Sequence, residues 1–252
     1  MQTHCQPGRE GRGGARAGAI GPGVQAKRGM GASLELEMSW VPSAKNSRVP
    51  YGRMLTQHAL IDSLASTPAA VRGPDGPALV PGVFAPGAPR RATGALGAQL
   101  VVYDLDGPSC YDKRRQVFDE RVIGDWANRD SIKAWIGRQP KDPIDALIAR
   151  CPLPGVAYTT WSHSWAKAWA WRIVMWLPEV VEPARWKGIW KGCFEQLGGQ
   201  AVGLDVKCSD ISRLFYLPSR AAKAEKMGMS PKFDVRLITP HGGGAAGFAR
   251  AV

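Results

Sequence analysis

The run Val101-Val102-Tyr103-Asp104-Leu105-Asp106-Gly107 decides how the rest of the chain is read. Apolar and aromatic residues lead into an Asp-x-Asp pair and then a glycine, the pattern of a buried strand that ends in a turn. Side chains alternate along a strand, so Asp104 and Asp106 face one way at its mouth. Two carboxylates that close repel each other unless a cation lies between them. A divalent ion that prefers oxygen ligands, such as Mg²⁺, answers that need. A solvated Asp-rich turn after an edge strand is the plainer alternative.

Short elements extend outward from this strand. Upstream, residues 34–40 alternate as a short strand, and Thr56 is placed to cap a helix over 57–66, with Leu60, Ile61 and Leu64 on one face. Pro and Gly dominate residues 68–97, with room for one strand at 79–84. Downstream, 119–136 predicts helix and turn, and Asp142 as N-cap with Pro143 at N1 starts a short helix to Arg150. Residues 155–160 and 169–177 read as strands. The clearest helix covers 183–197, where Trp186, Ile189, Trp190, Cys193, Phe194 and Leu197 form a core stripe and Gly198-Gly199 ends it. Two more strands are expected at 201–206 and 211–217.

This order predicts an α+β domain over 34–220, with a mixed, largely antiparallel sheet and flanking helices. Residues 1–33 are basic, Gly-rich and without period, and predict a disordered extension. Residues 221–252 predict a basic, Gly-rich tail that is partly disordered.

Composition narrows the function classes. The chain has 252 residues, 44% of them hydrophobic, and a net charge of +12, which favours a polyanionic partner, nucleic acid first. Cys5, Cys110, Cys151, Cys193 and Cys208 are widely spread and odd in number. None forms a CxxC or pairs with His at zinc-ligand spacing, so reduced thiols in a cytoplasm-like compartment and no zinc are expected. No apolar run approaches transmembrane length and no signal peptide is evident, so no membrane partner is expected.

Three further features belong with the Asp pair. Tyr158-Thr159-Thr160-Trp161-Ser162-His163-Ser164 follows a strand, and grouped hydroxyls with an imidazole can bind phosphate oxygens. Arg172 lies inside an aromatic strand, where it is costly unless paired or bound to an anion. Asp205 ends an apolar stretch and leads into Ser212-Arg213-Leu214-Phe215-Tyr216-Leu217-Pro218. A third carboxylate completes a site for two divalent ions of the kind that serves phosphoryl transfer. Asp210 competes with Asp205 for that role; Asp205 is preferred because it ends the strand-like run.

Together these blocks resemble the archaeo-eukaryotic primase superfamily, the primase-polymerase domains of plasmid and phage replication proteins. The likeness spans about residues 97–220: an apolar strand with Asp-x-Asp, a Ser/Thr-rich turn with His, and an Asp followed by Arg-Leu-x-x-x-Pro. The family's second block is usually Ser-x-His, whereas Ser162 here directly precedes His163. The resemblance implies an RRM-like palm in which Asp104, Asp106 and Asp205 hold two Mg²⁺ or Mn²⁺ ions. It implies that Ser162, His163, Arg172 and Arg213 contact nucleotide phosphates. It further implies template-directed nucleotidyl transfer on single-stranded DNA from nucleoside triphosphates, a separate replicative helicase as partner, and the cytoplasm of a bacterial host or phage-infected cell. Trp161, Trp165 and Trp169 are nearest the second block and are candidates for base stacking. Two other readings stand beside this one. The chain could be a non-catalytic nucleic-acid-binding module with a primase-like fold. Alternatively, Tyr103-Asp104-Leu105-Asp106-Gly107 resembles the first motif of haloacid dehalogenase-like phosphatases, which need a doubly wound sheet.

Overall fold

The computed structural model describes residues 34–41, 51–65, 77–112, 115, 117–123, 128–218, 222–229 and 233–240, all within the unit Ser33–Val252. The extension expected at 1–33 lies outside the described residues.

Strand β1 (Glu35–Val41) pairs with β2 (Tyr51–Thr56), which runs directly into helix α1 (Gln57–Ala65). Thr56 Oγ1 accepts the Ala59 N–H at 3.1 Å, the cap expected from the sequence. Leu60 and Leu64 of α1 are buried. The single strand expected at 79–84 is instead two, β3 (Ala78–Val80) and β4 (Gly82–Phe84), in different sheets. Pro81 cannot donate to a ladder. The Gly82 N–H leaves for Ile211 O at 3.0 Å, an approach so close that a Cβ there would lie 2.9 Å from that carbonyl.

The central strand β5 (Ala95–Asp106) is longer than expected, and is followed by the small hairpin β6 (Tyr111–Asp112) and β7 (Val117–Phe118). Then come α2 (Glu120–Ile123), α3 (Arg129–Gly137) and α4 (Ile144–Ile148). Asn128 and Ser131 form a capping box on α3. Asp142 Oδ1 does accept the Ile144 N–H at 3.0 Å, but α4 begins one residue later than expected and Pro143 is its N-cap. Strands β8 (Gly155–Thr159) and β9 (Ala170–Val181) precede α5 (Pro183–Leu197), which Gly198 closes at φ 103°.

The strand expected at 201–206 does not form. Gly199 and Gly203 adopt left-handed conformations, φ 56° and 94°, which break an extended run into two 3-10 turns, Gly199–Val202 and Val206–Ser209. Of the run expected at 211–217, only β10 (Phe215–Tyr216) is strand, because Asp210 and Ser212 fold into a side-chain-bonded turn. The region beyond residue 220 contributes α6 (Ala222–Lys226) and β11 (Val235–Ile238), the latter paired with β8.

The strands form one sheet in the order β10-β3-β1-β2 and a second in the order β11-β8-β9-β5-β4. Every pair within them is antiparallel. The α+β class expected from the sequence is the one observed, with the strands divided between these two sheets and the β6-β7 hairpin. The doubly wound parallel sheet that the phosphatase reading requires is not compatible with a β5 whose neighbours β4 and β9 both run against it.

Cross-strand register gives the second sheet two unlike faces. Tyr103, Leu105, Trp171 and Ile173 share one face, against which α5 packs. There the Tyr103 hydroxyl donates to Trp190 O at 2.5 Å and the Trp186 indole N–H donates to Leu100 O at 2.7 Å. Asp104, Arg172 and Tyr158 align in register on the other face, beneath the edge strand β10 of the first sheet.

Candidate functional site

The site is assembled at the end of β5. Leu204 bridges Leu105, with the Asp106 N–H on Gly203 O at 3.1 Å and the Asp205 N–H on Asp104 O at 2.9 Å. Gly203 is required here by two constraints: its φ is 94°, and a Cβ would lie 2.8 Å from Asp106 O. This contact brings Asp205 beside Asp104. Asp205 then caps the following 3-10 turn, its Oδ1 accepting the Lys207 N–H at 2.9 Å. The turn returns Cys208, whose Sγ accepts the Asp104 N–H at 3.3 Å.

One ligand atom from each of Asp104, Asp205 and Cys208 lies within 4.8 Å of the others, a group that could hold a metal ion. Two carboxylates suit a hard divalent ion such as Mg²⁺ or Mn²⁺. Cys208 is fully buried; burial, then the nearby Asp104 charge, pushes its thiol up to about 12. The oxygen donors therefore fit a divalent cation, and the thiol lies against them as a neutral group.

Each carboxylate already faces a cation. Arg172 Nε donates to Asp104 Oδ1 at 2.7 Å, and its Nη1 donates to the Tyr216 carbonyl. Its guanidinium also lies 5.2 Å from the Phe215 ring centroid and 5.9 Å from that of Tyr158. Burial opposes the Arg172 charge, but Asp104 and Tyr158 outweigh it and hold its pKa above the ordinary arginine value. Arg213 Nη2 spans the other side, 3.0 Å from Asp205 Oδ2 and 3.5 Å from Asp104 Oδ2. Asp106 is the most open of the three and pairs with Lys167 Nζ, whose residue is only 6% exposed. Three carboxylates thus meet three cations.

Asp210 is not part of this group. Its Oδ1 accepts the Ser212 N–H at 2.8 Å and the Ser212 hydroxyl at 2.7 Å, so of the two candidates it is Asp205 that stands beside Asp104.

The Ser162–His163 turn lies after β8. Ser162 is buried, its Oγ 3.3 Å from Thr160 Oγ1. His163 Nδ1 accepts the Ala170 N–H at 3.1 Å, and the ring meets Trp171 edge-on at 5.3 Å. Burial lowers the His163 pKa, with Asp142 and Asp234 acting in the opposite sense. Ala170 is also the cross-strand partner of Asp106, so His163 and Asp106 flank the same residue of β9 from its two sides. The segment between is tied to the post-β5 turn: the Gly107 N–H donates to Trp169 O at 3.0 Å, and the Ala168 N–H to Pro108 O at 2.9 Å.

Two of the expected base-stacking residues have another role. Trp165 and Trp169 are 1% and 8% exposed and belong to the core, because the turn folds back over β6 and β7 and not outward. Trp161 is half-buried against Trp165.

Lys167 and Cys208 are the site residues that the sequence reading passed over. A lysine inside Ser164-Trp165-Ala166-Lys167-Ala168-Trp169 carries the same signal as Arg172, a charge in an aromatic run. Cys208 is three residues from Asp205, a spacing that a 3-10 turn closes.

No family model matches this chain, and no curated protein matches it in sequence. A solved structure to which it is similar is the AEP domain of the primase-polymerase (PrimPol) of cyanophage S-2L, at 10% identity and a TM-score of 0.37, covering 86% of this chain and 88% of that one.

Proposed function

We propose that this chain is a primase-polymerase: it carries out template-directed nucleotidyl transfer on single-stranded DNA, using nucleoside triphosphates and two divalent ions. The observation that carries this reading is the meeting of Asp104 and Asp205, from distant parts of the chain, with Arg172 and Arg213 in one cluster. These are residues that the resemblance to the archaeo-eukaryotic primases assigns to metal and phosphate. Asp106, two residues on in the same strand, completes the set of three carboxylates.

In this reading Asp104, Asp106 and Asp205 hold Mg²⁺ or Mn²⁺, which supplies charge stabilisation for attack of a 3′-hydroxyl on the α-phosphate. Arg172 holds Asp104 in place while its own Nη1 is anchored on the Tyr216 carbonyl, and Arg213, whose side chain is 27% exposed, is the guanidinium that meets a phosphate. His163, whose Nδ1 accepts the N–H of Ala170 beside Asp106, and Ser162 of the same turn contact the outer phosphates of the nucleotide in this reading. The charge of +12 supplies sequence-independent attraction for the template. The setting is plasmid or phage replication in the cytoplasm of a bacterial host or infected cell, beside a separate helicase. Among the described residues no helix is long and apolar enough to cross a membrane.

A second reading has an observation of its own. Because every carboxylate is paired with a cation, the cluster is also a stable structural knot, as a non-catalytic nucleic-acid-binding module would have. Incubation with single-stranded template, with and without primer, labelled nucleotides and Mg²⁺ or Mn²⁺ separates the two. Metal-dependent product that disappears in an Asp104→Ala, Asp205→Ala double variant supports the enzyme. Template binding without product under either metal supports the module.

A further inference from the structure

We propose that Lys167 is a nucleotide-positioning residue: its ammonium holds Asp106 in the ligand-free protein and turns to the phosphates when a divalent ion takes that carboxylate. This rests on the reading of the cluster as a metal-nucleotide site.

The contrast with Arg172 carries the inference. Arg172 is fastened by Asp104, the Tyr216 carbonyl and two aromatic rings. The Lys167 side chain is equally buried, 8% exposed for each, yet its ion pair is with Asp106 alone among the described residues, and Asp106 is 43% exposed. An ammonium withdrawn from water with one solvent-accessible partner is a weakly compensated charge. Its flexible four-carbon stem can redirect that charge over several ångströms, which a stacked guanidinium cannot do.

The backbone beneath it is fixed. The Lys167 N–H donates to Ser162 O at 3.0 Å, and the residue bridges Ser109 on one side and His163 on the other. Lys167 is therefore anchored to the His163 turn while its tip is on Asp106, and it spans the two halves of the proposed site. A second donor lies in the same turn: the Trp169 indole N–H is buried without a hydrogen-bond partner among the described residues, with its ring packed where a Cβ on Gly107 would be.

Charge balance gives the direction of the switch. Three carboxylates and three cations cancel, so a divalent ion entering alone meets no net attraction. A metal bound together with a triphosphate brings its own negative charge, and the displaced ammonium then neutralises part of it. Lys167 thus opposes free metal and favours the metal-nucleotide complex, which makes the two ligands cooperative.

The test uses the full chain, Mn²⁺ followed by electron paramagnetic resonance, and a non-hydrolysable deoxynucleoside triphosphate analogue. Lys167→Met is expected to bind free Mn²⁺ about fivefold more tightly and the Mn²⁺-analogue complex about tenfold more weakly. Lys167→Arg is expected to recover most of the lost nucleotide affinity. Should Lys167→Met fail to fold, Lys167→Gln, which still reaches Asp106 but lacks the charge, serves the same comparison. A merely structural role weakens both affinities together, and that parallel loss, or unchanged nucleotide affinity, overturns the proposal. Wild-type protein that binds the Mn²⁺-analogue complex while the variants match it removes only the role of Lys167. Wild-type protein that binds neither ligand removes the metal-nucleotide reading and Lys167 with it.

Discussion

The two faces of β5 and β9 are made by alternate residues of the same strands, yet they are held by opposite physics. On one face Tyr103 packs under α5, its ring centroid 5.2 Å from that of Trp190 on the helix. On the other, one residue along, Asp104 and Arg172 form a buried ion pair extended by Arg213 and Asp205. The aromatic face tolerates loss of part of a ring because its attraction is spread over many contacts. The charged face depends on pairing, since removing one member leaves a desolvated charge.

Substitutions can break this contrast, and the largest effect is expected on the charged face. Arg172→Met leaves Asp104 without its buried partner and lowers stability by about 4 kcal/mol; urea unfolding measures it. Arg172→Met combined with Asp104→Leu, which removes both charges, recovers part of that loss. An additive double variant contradicts the pairing.

On the aromatic face Trp190→Leu keeps an apolar side chain and opens a limited cavity, for a loss of about 2 kcal/mol. Metal binding at Asp104 and Asp205 is expected to persist in this variant. Tyr103→Phe removes the hydroxyl and with it the bond to Trp190 O, and a loss of about 1 kcal/mol in the same unfolding assay is expected. A loss as large as that of Arg172→Met would show the two faces to be alike.

The smallest effect is a slope with pH. Burial lowers the His163 pKa, so the folded protein holds this imidazole neutral while the unfolded chain titrates near 6.5. The unfolded state then binds more protons as pH falls below that value. Stability from His163 is present above about pH 6.5 and is lost on acidification. His163→Asn, whose side-chain oxygen can accept the Ala170 N–H, flattens the fall in urea midpoint between pH 7.5 and 5. An unchanged slope assigns the acid sensitivity to other groups.

Much of this was legible in the chain. Continuous apolar and aromatic runs marked β5 and β9, and the 3.6-residue stripe with a closing Gly-Gly marked α5, because local pattern and burial agree there. The run at 201–206 misled because its single glycine, Gly203, and Gly199 just before it take a left-handed backbone that no pattern count registers. The short strand expected at 79–84 split for a similar reason, a proline and a close-packed glycine. In the site, Asp104, Asp205, Arg172 and Arg213 could be named from residue type and order. The pairing of each Asp with a cation could not be, since Lys167 reaches Asp106 only through a turn set by long-range backbone bonds. Cys208 was hidden likewise, an apolar-looking residue until the 3-10 turn places its sulfur on Asp104.

The most direct measurement is anomalous diffraction from crystals of the protein grown with Mn²⁺ and a non-hydrolysable nucleoside triphosphate. The account expects a manganese peak bonded to the carboxylates of Asp104 and Asp205, with Arg213 moved from between them onto a phosphate. Absence of a peak there, with Arg213 still bridging Asp104 and Asp205 in the presence of both ligands, would contradict it.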